Sequence, residues 1–191
     1  MVTEYFVLGA ALLLIALIFV PTLTTGSSPV PTSASVRRAL LALLPIRLPG
    51  APSGLVYELG SGWGGMAFAL AKKYPDTTVI GYEISPVPWL FSRIRLLFFR
   101  QKNLQLKFAN FQNQNLSDAS LVLCYLLPGP MEKLRPKLES ELMAGALVVS
   151  NSFAFRGWSA LDDKMSNDMY NSHVYLYEAG NTKEPEPLDI F

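Results

Sequence analysis

The feature that most constrains this chain is Leu55-Val-Tyr-Glu-Leu-Gly-Ser-Gly-Trp-Gly-Gly65, followed by Gly81-Tyr-Glu-Ile-Ser85. Leu55 to Leu59 is a short apolar run interrupted by one acid, the size of a buried strand. Gly60, Gly62 and Gly64 then alternate, and Met66-Ala-Phe-Ala-Leu-Ala71 begins a helix. A strand, a glycine turn and a helix form a cradle in which backbone approaches a ligand closely and a helix N-terminus offers free N–H groups. Val79-Ile-Gly-Tyr-Glu83 reads as the next strand, ending in an acid. An acid at that distance beyond the glycine turn suits a carboxylate that grips both hydroxyls of a ribose. The pattern predicts a nucleoside-cofactor site.

Gly60-x-Gly62-x-x-Gly65 also satisfies the dinucleotide pattern, so a nicotinamide-dependent oxidoreductase is one reading. Glu58 favours another. A carboxylate two residues before the first glycine repels a pyrophosphate and attracts a cationic ligand that carries an amino group. S-adenosylmethionine carries both a sulfonium and an ammonium. Glu58-Leu-Gly-Ser-Gly-Trp-Gly64, with Glu83 as the ribose acid, resembles motif I of the class I S-adenosylmethionine-dependent methyltransferases.

The rest of the chain alternates strands and helices, which predicts a mostly parallel α/β sheet. Strands are expected near 55–59, 77–82, 104–109, 119–125 and 145–150. Helices are expected at 63–73, from Pro86 to Arg100, and from Met131 to Met143, with Pro136 opening a new helical piece. His173 to Glu178 alternates and reads as a last strand, paired through a turn with residues near Trp158 to Asp163. This order resembles the Rossmann-like seven-stranded methyltransferase sheet, with a compact C-terminal hairpin and a rudimentary sixth strand. The expected division is an anchor at 1–23, a linker and pre-domain helix at 24–53, the methyltransferase domain at 54–180, and a loose tail at 181–191.

Tyr5 to Val20 is an unbroken apolar run, and no charge falls between Glu4 and Arg37. A cleaved signal peptide is the rival reading, but the segment before the run lacks Lys and Arg and carries Glu4. The first basic residues, Arg37, Arg38 and Arg47, follow the run, so the expectation is a single-pass membrane anchor with the catalytic domain on the cytoplasmic side. Ser33 or Ser35 is placed to cap a helix through Leu44 that covers the domain or lies on the membrane. Net charge is +1, which gives no global field for nucleic acid. The single cysteine, Cys124, excludes an internal disulfide, and with one histidine, His173, no metal site is expected.

The methyltransferase resemblance assigns roles residue by residue. Glu58 would hold the methionine ammonium, with Gly60, Ser61, Gly62 and Gly64 alongside, and Glu83 would bind the ribose. Asn110 would meet the adenine N6, and Phe111 or Ile84 would sandwich the adenine ring. Tyr125, Leu126 and Pro128 occupy the loop after the fourth strand, where the superfamily places acceptor-binding residues; Tyr125 would orient an amine or offer a π-face to a cation. The Asn/Asp-Pro-Pro-Tyr/Phe signature of nucleobase and amide methyltransferases is absent.

A narrower resemblance rests on Gly81-Tyr-Glu-Ile-Ser-Pro-Val-Pro-Trp-Leu90, Tyr125-Leu-Leu-Pro128, Lys133-Leu-x-x-Lys-Leu-x-x-Glu-Leu142 and Gly145-Ala-Leu-Val-Val-Ser-Asn-Ser-Phe153. These segments are similar to small bacterial relatives of the mitochondrial lysine methyltransferases that act on the adenine nucleotide translocase and on ATP synthase. That similarity implies a lysine of an integral membrane protein as acceptor and membrane lipid as a partner of the anchor. A small lipophilic acceptor, a quinone or a lipid, uses the same anchor and is the alternative within this chemistry.

Overall fold

The computed structural model describes residues 2–25, 31–49 and 54–180. Among the described residues, seven strands form one sheet: β1 (Leu55–Leu59), β2 (Val79–Glu83), β3 (Leu104–Phe108), β4 (Ala119–Cys124), β5 (Leu147–Asn151), β6 (Asp162–Met165) and β7 (His173–Glu178). Their order is β3-β2-β1-β4-β5-β7-β6. β1 to β5 pair in parallel, and β7 runs antiparallel between β5 and β6. β1, β2, β4 and β5 are buried on both faces, as expected for near-continuous apolar strands sandwiched by helices. β6 has four exposed residues, which accounts for its faint signal in the sequence.

α3 (Gly65–Lys73) and α4 (Pro86–Phe98) follow β1 and β2. Val56, Val79, Leu104, Leu106, Leu121, Leu123 and Val149 build one core with α3. Tyr57, Leu59, Ile80, Val122, Cys124 and Val148 build the other with α5 (Pro128–Glu141). α5 departs from expectation: it starts at Pro128, whose missing N–H costs nothing in the first turn, and runs through Pro136 without a new start.

α2 (Ala34–Leu43) is capped by Ser33, whose Oγ accepts from the Val36 amide at 3.2 Å. It buries Val36, Ala39, Leu40 and Leu43 in the α3-side core, so it belongs to the domain. Tyr74 ties it down by donating its hydroxyl to the Pro45 carbonyl at 2.8 Å.

α1 is one helix from Val2 to Thr25 that continues through Pro21 and packs against α4. Counted over the described residues, no helix is long and apolar enough to cross a membrane. The side chains of residues 2, 14, 18, 19 and 21–25 lie outside that description, so the span expected at 1–23 is not established. The loose tail expected at 181–191 also lies outside the described residues.

Candidate cofactor and acceptor site

Parallel pairing brings the ends of β1, β2 and β4 to one edge of the sheet, where open α/β sheets hold ligands. Register places Glu58 beside Gly81. Glu83, two residues on from Gly81, therefore points to the same face as Glu58. Both carboxylates are buried, at 5% and 4% exposure. The two acids lie close enough for the charge on Glu83 to act on Glu58.

The glycine turn is fastened to the end of β2. The Gly60 and Ser61 amides both donate to the Tyr82 carbonyl, at 2.9 and 2.8 Å, and the Gly64 amide donates to the Ser61 carbonyl at 2.8 Å. Gly60, Gly62 and Gly64 all have positive φ, between 51° and 77°, a region that side chains with a Cβ seldom enter. Gly62 has no atom within 4 Å of where a Cβ would stand, so its outer face is open to a ligand. Gly81 is the opposite case: a Cβ there would lie 2.9 Å from Ser61 Cβ and 3.0 Å from Leu106 Cδ2. The missing side chain at Gly81 lets the loop close over β2.

Glu83 is held in place by three backbone donors. The Gly62 amide donates to Oε2 at 2.7 Å, and the Ile84 and Ser85 amides donate to Oε1 at 3.0 and 2.7 Å. A carboxylate has about four acceptor sites, so one remains, on Oε2. One ribose hydroxyl fits without loss. A grip on both hydroxyls, as read from the sequence, would require displacing one of these three amides.

Glu58 is different. Its Oε2 is buried without a hydrogen-bond partner, and so is the Ser61 Oγ beside the turn. Burial pushes the Glu58 carboxyl well above its ordinary range, the Glu83 charge pushes it further, and the Ala67 amide pulls it back. A buried carboxylate oxygen left without a partner in this way is costly unless a donor arrives from outside. An ammonium group meets that need, and a phosphate would worsen it. The residues present therefore fit S-adenosylmethionine and not a dinucleotide.

The remaining predicted residues divide. Asn110 stands at the tip of β3 and caps a single 3-10 turn, Phe111–Asn113, its Oδ1 accepting from the Gln112 amide at 2.9 Å. That uses one of the two acceptor sites on Oδ1 and leaves the other for the adenine N6 amino group. Phe111 is 6% exposed and packs in the α5-side core, so the half-buried Ile84 is the apolar side chain available for adenine stacking. Tyr125 is half-buried just beyond β4, and Pro128 is exposed at the start of α5. Leu126, expected to touch acceptor, is wholly buried in the core, because alternation turns it inward between two outward neighbours. Cys124 is no nucleophile: burial pushes its thiol up to about 12, and it donates to Met131 Sδ at 3.6 Å.

One residue escaped the sequence reading. Ser152, just past the end of β5, is a non-glycine with φ 67°; its amide donates to the His173 carbonyl at 2.8 Å and its Oγ bonds Asn151 Oδ1 at 3.1 Å. Backbone held in this region concentrates at functional edges. Nothing in Asn151-Ser-Phe153 marks a left-handed turn, since asparagine would be the more natural occupant.

The strand order with its antiparallel seventh strand, the glycine turn and the two acids on one face define an S-adenosylmethionine-dependent methyltransferase. A family model described as the ANTKMT methyltransferase domain matches residues 58–162, and the chain belongs to that family. It is 34% identical over 161 residues to a protein-lysine N-methyltransferase of Saccharolobus islandicus (strain REY15A), a match covering 81% of this chain and 94% of that one. It is 30% identical over 139 residues to the ATP synthase C-subunit lysine N-methyltransferase of Homo sapiens, covering 69% of this chain and 57% of that one. Among solved structures, an RNA methyltransferase from Salinibacter ruber in complex with S-adenosyl-L-homocysteine superimposes with a TM-score of 0.69 at 27% identity, over 84% of this chain and 99% of that one. The nicotinamide reading of the glycine pattern is thereby set aside.

Proposed function

We propose that this methyltransferase modifies a lysine side chain of a protein at a membrane. The observation that carries the cofactor half of this reading is the buried Glu58 Oε2, which lacks a hydrogen-bond partner and lies on the same sheet face as Glu83, whose Oε2 accepts from the Gly62 amide. The lysine half is supported by the relatives named for protein lysine and for a lysine of ATP synthase. When bound, S-adenosylmethionine supplies a methyl group on a positively charged sulfur.

The chain's own residues position and exclude. Glu58 holds the amino-acid end, Glu83 fixes one ribose hydroxyl, and Ile84 and Asn110 set the adenine. Methyl transfer is chiefly a matter of alignment in a dry pocket, so few acid or base residues are required. Tyr125 borders the edge beside the cofactor turn and orients the acceptor amine. Tyr125→Phe should lower kcat with little change in KM for the methyl donor.

Membrane attachment is supported by α1. Its apolar side chains at Tyr5, Phe6, Val7, Leu8, Leu12 and Leu13 remain largely exposed, as a lipid-facing surface would be. Glu4 is the only charge in it, and Arg37 and Arg38 follow, which favours a cytoplasmic catalytic domain. The Salinibacter ruber neighbour makes RNA the second reading, and a net charge of +1 weighs against it.

The test is to incubate the full-length protein and radiolabelled S-adenosylmethionine with membranes from cells lacking it. Label is expected in a protein band and, after hydrolysis, in methyl-lysine. Label that extracts with lipid, or that ribonuclease releases, would overturn the lysine reading.

A further inference from the structure

α4 is built inside out. Its inward face carries Pro88 and Ser92, both buried, with Ser92 Cβ only 3.0 Å from where a Gly64 Cβ would be. Its large apolar side chains point the other way: Leu90, Phe91, Ile94, Leu97 and Phe98 are 53%, 50%, 45%, 73% and 78% exposed. At 100° per residue these five fall within one stripe about 120° wide. A soluble domain normally does the reverse, and clustered exposed apolar side chains mark a contact surface.

α1 packs against α4, yet these exposures are those that remain with α1 in place. The occupant of the stripe is therefore not α1. Charge identifies it. Arg93 flanks the stripe on one side, Arg95 lies on the other with its guanidinium 4.3 Å over the Phe68 ring, and Arg100, Lys102 and Lys107 continue the series, with no acid between Glu83 and Asp118. An apolar stripe bordered by arginines whose stems can lie along it suits the boundary between acyl chains and anionic headgroups.

We propose that α4 is an interfacial membrane helix, its stripe from Leu90 to Phe98 entering an anionic leaflet while Arg93, Arg100 and Lys102 hold the headgroups. The contact reaches the cofactor turn directly, because Phe91 meets Trp63 edge to face with ring centroids 5.3 Å apart. Seating α4 on the bilayer brings the Gly60–Gly64 turn to the membrane surface. The inference goes beyond the anchoring role of α1 and does not depend on which acceptor is methylated.

The test uses the full chain in vesicles of phosphatidylcholine with and without phosphatidylserine. An environment-sensitive fluorophore is attached at Leu97→Cys and, as a control, at Met169→Cys, which is 89% exposed on the loop before β7. Cys124 is buried and does not compete for label. In anionic vesicles the probe at 97 should be quenched by nitroxide-bearing lipid and shielded from aqueous iodide, and the probe at 169 should behave oppositely. The triple variant Arg93→Glu, Arg100→Glu, Lys102→Glu should lose the lipid quenching while still binding S-adenosylhomocysteine. Iodide access at 97 equal to that at 169, in protein that still pellets with vesicles, would leave α1 as the sole attachment and overturn the proposal. Equal lipid quenching in neutral vesicles would overturn its charge basis, and cross-linking between two copies at position 97 would replace the bilayer by a dimer. None of these results bears on lysine methylation, so this inference and the functional reading fail separately.

Discussion

At the scale of single residues the site is governed by Glu58. Its carboxyl is held above the ordinary range by burial and by the Glu83 charge. In the empty protein the neutral form is favoured, whereas a bound ammonium favours the ionised form. Binding of S-adenosylhomocysteine, which keeps the ammonium, must then release a proton at pH values below the Glu58 pKa. Affinity should rise with pH by up to about tenfold per unit and flatten above that pKa. Calorimetry of Glu58→Gln should show weaker binding with the pH slope abolished. The same shift has the opposite sign for folding. A raised acid lets the empty fold hold a proton that the unfolded chain has released, so stability of the empty protein falls as pH climbs from 4.5 towards the folded pKa. In Glu58→Gln that component of the slope should vanish from thermal melts. Gly81 gives a steric prediction of the same kind. A Cβ 2.9 Å from Ser61 must push a loop whose amides are bound to Tyr82, so Gly81→Ala should cost about 1–3 kcal/mol of stability. Cofactor affinity should fall at least tenfold; unchanged values in both measurements would remove Gly81 from the site. The acids at 58 and 83 were legible in the sequence because strand ends and glycine turns are local signals. The core position of Phe111 and the strained Ser152 were not, because each depends on neighbours far along the chain, and the burial of Leu126 was missed because it sits just past the end of β4.

At the scale of elements the parallel strands were readable from unbroken apolar runs, and β6 was faint because its four residues are all exposed. Pro136 misled the sequence reading. A proline inside a helical pattern reads as a helix start, but α5 already has its start in Pro128, and Met131, Leu134 and Leu138 hold the helix on the core on either side of Pro136. Packing outweighs the loss of one helical hydrogen bond. α2 is the element whose role decides where the domain begins. Leu40 is wholly buried among α3 and sheet residues, so Leu40→Ala should destabilise the protein by about 2–5 kcal/mol in denaturant titration. A change below about 1 kcal/mol would mean that α2 is merely draped over the domain. Ser33→Ala, removing the cap, should cost about 1 kcal/mol and leave activity intact.

At the scale of the whole molecule, α1 and α2 lie side by side in the sequence and do opposite things. α2 and the residue after it give Val36, Ala39, Leu40, Leu43 and Leu44 to the core shared with α3 and the sheet. α1 packs against α4, and Tyr5, Phe6, Val7, Leu8, Leu12 and Leu13 remain largely exposed. Apolar exposure on that scale has no stabilising role in water, so the free energy of α1 belongs to its surroundings and that of α2 to the fold. The two are separable by truncation. Removing residues 2–30 should leave the melting temperature and S-adenosylhomocysteine affinity nearly unchanged and, if α1 anchors the protein as proposed, should shift it from the carbonate-resistant membrane fraction towards the peripheral one. Residual, salt-sensitive binding to anionic membranes is then expected through α4 and its arginines. Removing residues 2–44 should instead abolish cooperative unfolding, because the loss of these buried side chains uncovers one face of β5, β7 and β6. If the shorter deletion unfolded the domain, α1 would be a structural helix that closes over α4. In that case the exposed apolar surfaces of the two helices would have to be explained by packing against each other in a second copy of the chain.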